Sequence, residues 1–513
     1  MTQTLEQVAA ALPRRYPGPG GAIAVLKDGE VLLRHAWGYA NAERRIAFTP
    51  RTLFRICSIT KQFTCATVLA ACGNPARLDR AIGARLPELE LVPTARLLCH
   101  NQSGLRDYWA VAMLHGSPAE AAFGEAEAAR VIAGTRTLHF APGTRFSYVN
   151  QNFRLLSDAL QDRTGQDLAR LLRRHVLDPA GIETAFMAPD TRAMPDGTEG
   201  YEGTQASGFR PAVNNIIWTG DAGMAASLDD LVAWEKFIDA GRDDPESLPA
   251  RLAAPVAFAD GAAAAYGWGL GRGTAFGRAI LGHGGGLRGW RSHRLYVPSE
   301  RISVVVLFNH LSDASGAALD LLGAVLDAET AKPDASLPAP DWLGAYREPE
   351  TGLAACLDLA APGQLRLRFG PRPETLDLMP DGSATNGRTR LLRDASGLRM
   401  ERPEENVAST LIPAEGTPAA DIAGSWRCAE LDAELHIEAA GGVLYGAFAG
   451  FLGMSRMEML EPVGDDLWAL PCARALDYAP PGDWTLAVRR EEGKAVAIEI
   501  GCWLARRLSY ERA

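Results

Sequence analysis

Lysine is the scarcest of the four charged residue types in this sequence. Only five of its 52 lysine and arginine residues are lysines, and the other 47 are arginines. A bias in coding composition explains the preference for arginine as a whole. A position that keeps lysine is nevertheless informative, because lysine can lose its proton near neutral pH when its surroundings depress its pKa, whereas arginine stays protonated. The five lysines are Lys27, Lys61, Lys236, Lys332 and Lys494.

Other absences exclude whole classes of protein. The formal net charge is −10, so the chain lacks the basic excess typical of proteins that bind nucleic acid or anionic lipid. Its most apolar stretches, 302–308 and 66–72, are far shorter than the roughly 20 residues of a membrane span. The N-terminal sequence shows no basic segment followed by an apolar run, which a secretory signal would have. We therefore expect no membrane partner and no nucleic-acid partner.

The eight cysteines are scattered along the chain rather than grouped. None forms a Cys-x-x-Cys pair, and none lies in a Cys/His cluster with the spacing of a zinc site. Scattered thiols in a large chain are typical of a reduced cytoplasmic protein. The sequence therefore predicts free thiols, a cytoplasmic location, and neither a metal nor any other cofactor.

Length and composition predict several globular domains. A chain of 513 residues corresponds to about three domains, and 47% hydrophobic with 22% charged residues is ordinary for globular proteins. Up to residue 330, alternating apolar residues predict strands near both ends of the region, and helical periodicity predicts helices between and after them. The predicted strands are 22–26, 31–37, 279–282, 292–297 and 302–309, and the predicted helices include 60–71, 152–163 and 313–329. A sheet built from both ends of a region, with helices interposed, is an α/β layered domain.

The character of the sequence changes after residue 330. A proline-rich stretch predicts a linker, and the remainder alternates in short runs separated by glycine and proline, which predicts two small antiparallel β-barrels. The segment 344–350 is echoed 80 residues later by 424–430, which supports two similar barrels. The predicted divisions are an α/β domain over 1–330, a linker over 331–341, a first barrel over 342–416 and a second barrel over 417–513.

Lys61 has a serine three residues before it. On a helix, Ser58 and Lys61 lie on the same side, and a serine that begins the helix has its hydroxyl at the positive end of the helix dipole. A serine hydroxyl becomes a good nucleophile when a nearby base accepts its proton, and a lysine with a depressed pKa can be that base. The pair predicts a nucleophilic serine, although a surface serine beside a solvated lysine would show the same pattern.

Two later segments supply further candidate groups. Tyr148 and Asn150 lie between a Pro-Gly turn and a helical run, where a phenol and an amide could provide a second proton carrier and a hydrogen bond to substrate. His283 stands in a glycine-rich segment with Gly285 at the end of a predicted strand. Glycine permits close approach there, and a backbone N–H can join that of Ser58 in an oxyanion hole. A core tyrosine and a structural histidine in a hairpin are the alternatives.

The order and the neighbours of these segments resemble a known family, that of the serine β-lactamases and penicillin-recognising enzymes. The resemblance covers roughly residues 10–330 and implies an antiparallel sheet with a helical lobe. The matching motifs are Ser58-x-x-Lys61, Tyr148-x-Asn150 and His283-x-Gly285, with smaller matches at 100–105, 221–224, 229–231 and 266–269.

The resemblance also implies roles for these residues. Ser58 would be the acylated nucleophile, with Lys61 as its base. Tyr148 would carry the proton to the leaving group, Asn150 would hold the substrate amide, and His283 would belong to the catalytic set. Whether Lys61 or Tyr148 accepts the first proton stays open.

The third motif distinguishes branches of this family. Classical β-lactamases and D,D-peptidases have Lys-Thr-Gly there, whereas this chain has His283-Gly284-Gly285. A largely neutral imidazole and a missing hydroxyl weaken the recognition of a substrate carboxylate, which leaves esterases, amidases and aminopeptidases. With its two barrels, the whole chain resembles the branch that removes N-terminal D-amino acids from peptides, amides and esters.

In that branch a loop from the last barrel reaches the catalytic cleft and binds the substrate's N-terminus. The corresponding segment here is 472–483. A carboxylate on it would pair with the α-ammonium group and block space upstream. Asp477 is our candidate for this group, and Asp483 is its rival. Cys57 either lines the pocket for the D side chain or packs in the interior.

These inferences predict a serine hydrolase that works through an acyl-enzyme on Ser58. Its partner would be a small peptide or amide with a free N-terminal D-residue, β-lactams would be possible ligands, and the resemblance suggests a homodimer. An esterase or D-amino-acid amidase with the same chemistry is one alternative. A non-catalytic penicillin-binding module is the other.

Overall fold

The structure is a computed structural model, and it describes residues 3–329, 332–477 and 480–513. The strands of the first region are β1 (Gly20–Lys27), β2 (Glu30–Asn41), β3 (Ile46–Ala47), β4 (Phe54–Arg55), β5 (Phe186–Met187), β6 (Tyr201–Thr204), β7 (Gly208–Pro211), β8 (Met224–Ala226), β9 (Tyr266–Gly267), β10 (Leu270–Ala275), β11 (Arg278–Leu287), β12 (Trp290–Val297) and β13 (Ile302–Phe308). Eight of them form one antiparallel sheet in the order β3-β2-β1-β13-β12-β11-β10-β9. As predicted, this sheet combines strands from both ends of the region.

Eleven α-helices accompany this sheet in the described part of the region. They are α1 (Leu5–Arg15), α2 (Thr60–Cys72), α3 (Asp79–Arg85), α4 (Ala95–Cys99), α5 (Tyr108–Leu114), α6 (Glu125–Ala133), α7 (Asn150–Thr164), α8 (Leu168–Leu172), α9 (Leu228–Gly241), α10 (Leu248–Ala253) and α11 (Ala314–Leu326). Helices α1 and α11 pack on one face of the sheet, and helices of the lobe, with α2 buried along most of its length, pack on the other face.

Strand β1 shows why both faces are covered. All of its residues except the last are buried, as expected for a strand that lies between two layers. Ile23 and Val25 point toward α1 and α11, whereas Ala22 and Ala24 point toward the helical lobe. The alternation of large and small apolar residues therefore follows the two different cores.

Strand β11 is longer than the predicted strand, which ended at Gly282. It continues through the glycine run to Leu287, because every residue from His283 onward pairs with β12, as in the pairs His283–Arg294 and Leu287–Trp290. Pairing with β10 stops at Gly282, so beyond this point β10 does not cover the other edge of β11 in the described structure.

The remainder of the chain is almost entirely β-structure, in two sheets. The strands of the first are β14 (Gly344–Arg347), β15 (Ala354–Ala361), β16 (Gln364–Arg368), β17 (Glu374–Leu378), β18 (Ala384–Thr385), β19 (Arg390–Asp394), β20 (Gly397–Arg402) and β21 (Val407–Pro413). The strands of the second are β22 (Gly424–Cys428), β23 (Ala433–Ala440), β24 (Val443–Gly450), β25 (Gly453–Met454), β26 (Glu458–Met459), β27 (Glu461–Gly464), β28 (Leu467–Leu470), β29 (Trp484–Glu491), β30 (Lys494–Cys502) and β31 (Ala505–Arg512).

The two sheets differ in closure. The first is a closed barrel of eight strands, as predicted. The second is a ten-stranded sheet in the order β25-β24-β23-β22-β31-β30-β29-β28-β27, with β26 paired to β24, so it is only partly closed. The strands at its open side are short, and Pro462 in β27 has no N–H to donate across the gap.

The sequence repeat marks equivalent places in these two sheets. Strands β14 and β22 begin the two echoed segments, and each pairs with the last strand of its own sheet. In each, an aromatic side chain donates a hydrogen bond to a carbonyl four residues earlier: Tyr346 to Trp342 at 2.8 Å, and Trp426 to Ile422 at 2.9 Å. The repeat is therefore a structural one.

Candidate active site

Ser58 lies at the point where the chain enters helix α2. A short 3₁₀ turn, Cys57–Ile59, leads directly into the helix. Cys57 has a φ of +52°, a left-handed conformation that is uncommon for a residue with a side chain. The turn places the Ser58 hydroxyl one helical turn from Lys61, whose Nζ lies 3.0 Å from Ser58 Oγ. The predicted pairing of the two side chains is therefore present.

Lys61 is completely buried and makes three hydrogen bonds. Its Nζ donates to Ser58 Oγ at 3.0 Å, to Asn150 Oδ1 at 2.9 Å and to the backbone oxygen of Asp221 at 2.7 Å. Burial lowers the pKa of Lys61 to about 8, although the carboxylates of Asp221 and Asp107 act in the opposite direction. An appreciable fraction of Lys61 is therefore a neutral amine near neutral pH and can accept the proton of Ser58.

Asn150 is the first residue of α7, and both ends of its amide are held by the protein. Its Oδ1 accepts from Lys61, and its Nδ2 donates to Asp107 Oδ2 at 3.0 Å. An amide has two N–H donors and two lone pairs on its oxygen, so Asn150 can contact a substrate as well. Asn150 also lines the cavity in front of Ser58.

Tyr148 lies beside the lysine, with its ring centroid 4.8 Å from Lys61 Nζ. Burial raises the pKa of Tyr148 well above its ordinary value, and a hydrogen bond with Ser58 opposes that shift only in part. The side chain is therefore a phenol at neutral pH and can donate a proton, whereas it is a poor base. Of the two candidates for the first proton acceptor, these charge states favour Lys61.

His283 is held as a neutral imidazole. Its Nδ1 donates to the backbone oxygen of Gly284 at 2.5 Å, so its Nε2 accepts from the hydroxyl of Tyr266 at 3.0 Å. Burial and, to a smaller extent, the nearby charge of Lys61 lower the pKa of His283 to about 3. The third motif thus offers no positive charge at this position.

Gly285 is the point of closest approach between the sheet and the serine turn. A Cβ atom at this position would lie 2.3 Å from the backbone oxygen of Ile56 and 2.2 Å from Ser292 Oγ, which itself donates to Ile56. Glycine is therefore required there. The edge of β11 that β10 leaves uncovered and the N-terminal end of the Ser58 helix together offer backbone N–H groups that can stabilise an oxyanion.

A cavity of about 410 Å³ lies in front of Ser58. Of the residues predicted for the site, it is lined by Ser58, Tyr148, Asn150, His283, Gly285 and Asp477. Asp477 belongs to the connection between β28 and β29 of the second sheet, so this connection reaches the serine. Tyr148 and Asn150 come from the lobe, and His283 and Gly285 come from the main sheet. The predicted residues at the cavity therefore come from three parts of the chain.

The two candidate aspartates occupy different places. Asp477 lies in the serine cavity, and its backbone oxygen accepts from the N–H of Arg288 at 3.3 Å. Asp483 instead accepts a hydrogen bond from the N–H of Cys472 at 3.3 Å and lines a separate cavity between the two β-sheets. Residues 478 and 479 of this predicted loop lie outside the described residues.

Two family models match the chain: β-lactamase over residues 5–328, and D-aminopeptidase, domain B, over residues 335–511. A D-aminopeptidase of Gluconobacter oxydans is 58% identical to it, over 99% of this chain and 98% of the relative. The chain belongs to the D-aminopeptidase family. A D-aminopeptidase of Brucella canis is 45% identical, again over 99% of this chain and 98% of the relative.

Solved structures agree with the fold of this D-aminopeptidase family member. The octameric penicillin-binding protein homologue from Pyrococcus abyssi aligns with a TM-score of 0.52 at 18% identity, over 99% of this chain and 98% of that chain. The predicted fold, a β-lactamase-like domain followed by β-barrel structure, and the predicted relationship to serine hydrolases of this family are both confirmed. No helix in the described residues is both long and apolar enough to cross a membrane.

Cys57 does not line the serine cavity of this family member. Its side chain is completely buried, and its thiol donates to the backbone oxygen of Arg55 at 3.2 Å. The left-handed turn directs its side chain into the core of the first region. All eight cysteines are free thiols.

Two buried carboxylates of the site were not predicted. Asp107 caps α5 and binds Asn150, and Asp221 offers its backbone oxygen to Lys61. The carboxylate of Asp221 is itself held by the hydroxyl of Tyr108 at 2.7 Å. An aspartate before a helix is a recognisable N-cap signal in the sequence, but nothing local indicates that it also faces a distant asparagine.

Proposed function

We propose that this enzyme removes N-terminal D-amino acids, such as D-alanine, from short peptides, amides and esters through an acyl-enzyme on Ser58. The observation that carries this proposal is the presence of Asp477, from the last sheet, in the same cavity as Ser58. A carboxylate there can pair with the α-ammonium group of a substrate, while the segment that bears it blocks further chain upstream. The preference for D-residues rests on membership of the D-aminopeptidase family.

In the acylation step, neutral Lys61 accepts the proton of Ser58 as Oγ attacks the substrate carbonyl carbon. Lys61 Nζ is 3.0 Å from Ser58 Oγ, so no rearrangement is needed for this transfer. The negative charge that develops on the carbonyl oxygen faces the N–H of Ser58 and the uncovered edge of β11 near Gly285.

Breakdown of the tetrahedral intermediate needs a proton on the leaving nitrogen. Tyr148 supplies it, because its raised pKa keeps it protonated, and the protonated Lys61 then replaces the proton that Tyr148 has lost. The C–N bond breaks, the shortened peptide or ammonia departs, and the acyl group stays on Ser58. Water then attacks the ester with Lys61 as the base, which releases the D-amino acid and restores Ser58.

The remaining residues select the substrate. Neutral His283 and Gly284 offer neither the positive charge nor the hydroxyl that classical β-lactamases use to bind a carboxylate next to the reacting group. Asp477 supplies a negative charge instead. A negative charge in place of a positive one favours a substrate with a free amine over a β-lactam.

The experiment compares D-alanine and L-alanine p-nitroanilides, together with p-nitrophenyl acetate, which has no amine. Of the two anilides we expect turnover of the D-anilide only, and we expect Asp477→Asn to raise KM for it by about tenfold, as for loss of a charge-assisted hydrogen bond, while hydrolysis of the ester changes little. The matched control is Asp465→Asn, an exposed aspartate of the same sheet.

Each alternative function has a distinct outcome. Equal effects of Asp477→Asn on the anilide and on the acetate ester would indicate an esterase with a structural loop. Equal rates on the two anilides would exclude D-specificity. Stoichiometric acylation of Ser58 by a penicillin without turnover of any substrate would indicate a binding module.

The assembly and location of the enzyme are further parts of this proposal. A homodimer, a cytoplasmic location and weak acylation by β-lactams are our expectations. Free thiols at all eight cysteines agree with a reducing compartment. Analytical ultracentrifugation of the full chain tests the homodimer, and a single monomeric species at micromolar concentration would exclude it.

A further inference from the structure

A second cavity adjoins the serine cavity on the side of His283. Its volume is about 490 Å³, against 410 Å³ for the serine cavity. The residues that line both are His283, Gly284, His293, Pro371, Arg372 and Trp503. Ser58, Asn150 and Asp477 line only the first cavity. The two spaces therefore meet at the strand that carries the third motif.

Strand β11 runs along both cavities, so its residues show the order in which the cavities follow each other. Gly282 borders only the second cavity, His283 and Gly284 border both, and Gly285 and Gly286 border only the first. The inference rests on the proposed function, in which Asp477 holds the substrate amine and the scissile carbonyl faces Ser58. The part of a peptide beyond the scissile bond then leads away from Asp477, past His283 and into the second cavity.

The wall that the main sheet contributes to this cavity carries no positive charge near the junction. His283 is neutral, and burial lowers the pKa of His293 to about 4. Cationic groups come instead from the first barrel and from Arg272, whose guanidinium donates to the backbone oxygens of Ala253 and Ala254. Arg272 is therefore engaged in holding the chain.

The barrel arginines differ in their surroundings. Arg402 binds Glu374 at 2.6 Å and Glu405 at 2.7 Å, so two carboxylates balance its charge. Arg388 lies 3.5 Å from Glu404. Of the two cavities, all five of these residues line only the second.

Arg372, by contrast, lies in the segment just before β17 and lines both cavities at their junction. Burial lowers the pKa of Arg372, and the carboxylate of Asp313, which lines the serine cavity, acts in the opposite direction. Arginine remains protonated throughout the physiological pH range and can bind a carboxylate with two parallel hydrogen bonds.

We propose that the second cavity holds the leaving group of peptide substrates, and that Arg372 binds the free C-terminal carboxylate of short peptides there. The carboxylate that classical family members bind with their third motif would thus be bound from a separate domain. Peptides of two or three residues are the substrate class, because they place a carboxylate within a space of about 490 Å³ beside the scissile bond.

The test compares D-alanylglycine and D-alanylglycylglycine with their C-terminal amides and with D-alaninamide. We expect the wild-type enzyme to show a lower KM for the free acids than for the amides. Arg372→Gln should lower kcat/KM for the acids by about tenfold relative to D-alaninamide, as for loss of one charge-assisted pair. Arg372→Lys should keep part of the preference, and the control Arg399→Gln, at an exposed arginine of the same barrel, should behave as wild type.

The outcomes separate this proposal from the proposed function. Hydrolysis of D-alaninamide with equal KM values for acids and amides would overturn the leaving-group site and retain the aminopeptidase. An equal loss on acids, amides and D-alaninamide in Arg372→Gln would also overturn it. Absence of turnover on every D-alanyl substrate in the wild-type enzyme would overturn both.

Discussion

Asp107 accepts two hydrogen bonds from Asn150 through the same carboxylate oxygen. The backbone N–H of Asn150 donates at 2.5 Å and its side-chain Nδ2 donates at 3.0 Å. This pairing determines which end of the Asn150 amide faces Lys61, because only the oxygen can accept from the lysine. A buried aspartate thus positions Lys61, the base in the proposed mechanism, through an intermediate residue.

Replacing Asp107 with asparagine is expected to disturb this arrangement. Both carboxylate oxygens accept from N–H groups, one from Asn150 and the other from Trp109, so an asparagine must present its NH₂ to one of these donors. An unsatisfied buried donor costs about 1–3 kcal/mol, and we expect a lower Tm together with a lower kcat. The control is Asp167→Asn at the exposed N-cap of α8, where asparagine caps equally well. Wild-type kcat in Asp107→Asn would contradict the positioning role.

Lys61→Met should abolish acylation while leaving the fold intact. Loss of a general base costs about 10²- to 10⁴-fold in rate, whereas replacement of a buried cation by an apolar side chain of similar length is often tolerated. The measurements are the burst of p-nitroaniline from D-alanine p-nitroanilide and the thermal unfolding midpoint. Lys236→Met, at an exposed position of α9, is the matched control. Retained acylation in Lys61→Met would show that Tyr148 acts as the base.

The rate of acylation should rise with pH through the pKa of Lys61, which burial lowers to about 8. Lys61 is inactive as a base while protonated, so kcat/KM should increase about tenfold per pH unit well below that pKa and level off above it. The substrate is p-nitrophenyl acetate, which has no amine to titrate. Because the negative charge of Asp107 raises the pKa of Lys61, Asp107→Asn should move the rise of kcat/KM to lower pH. An unchanged pH dependence of kcat/KM in Asp107→Asn would contradict the electrostatic coupling of the two residues.

Arg288 should be needed for the preference for substrates with a free N-terminal amine, although it is not one of the residues assigned to the reaction itself. Its Nη2 donates to the backbone oxygen of Ala475 at 2.6 Å, and its backbone N–H donates to Asp477. Arg288→Met removes the first contact, and we expect KM for D-alaninamide to rise about tenfold while the rate on p-nitrophenyl acetate changes little. Arg210→Met, at an exposed arginine of β7, is the control. A purely structural role would change both substrates in proportion.

Local patterns in the sequence determined much of this protein. The spacing of Ser58 and Lys61 predicted that the two side chains meet, and they do so across the 3₁₀ turn and the first turn of α2. Runs of apolar residues identified five of the eight strands of the main sheet, and the repeat at 344–350 and 424–430 identified the first strands of the two β-sheets. These features depend on neighbours along the chain, which the sequence displays directly.

Only the tertiary structure decided the features that depend on distant contacts. They are the presence of Asp477, and not Asp483, in the cavity in front of Ser58, the inward packing of Cys57, and the pairing of Asp107 with Asn150. Partial closure of the second sheet depends on short strands meeting across a gap. Lysine is scarce in this chain, and the sequence alone singled out Lys61, because a serine lies three residues before it. Its burial in the lobe, beside α7 and the Asp221 carbonyl, is what lowers its pKa, and this lowered pKa is the basis for proposing it as the base.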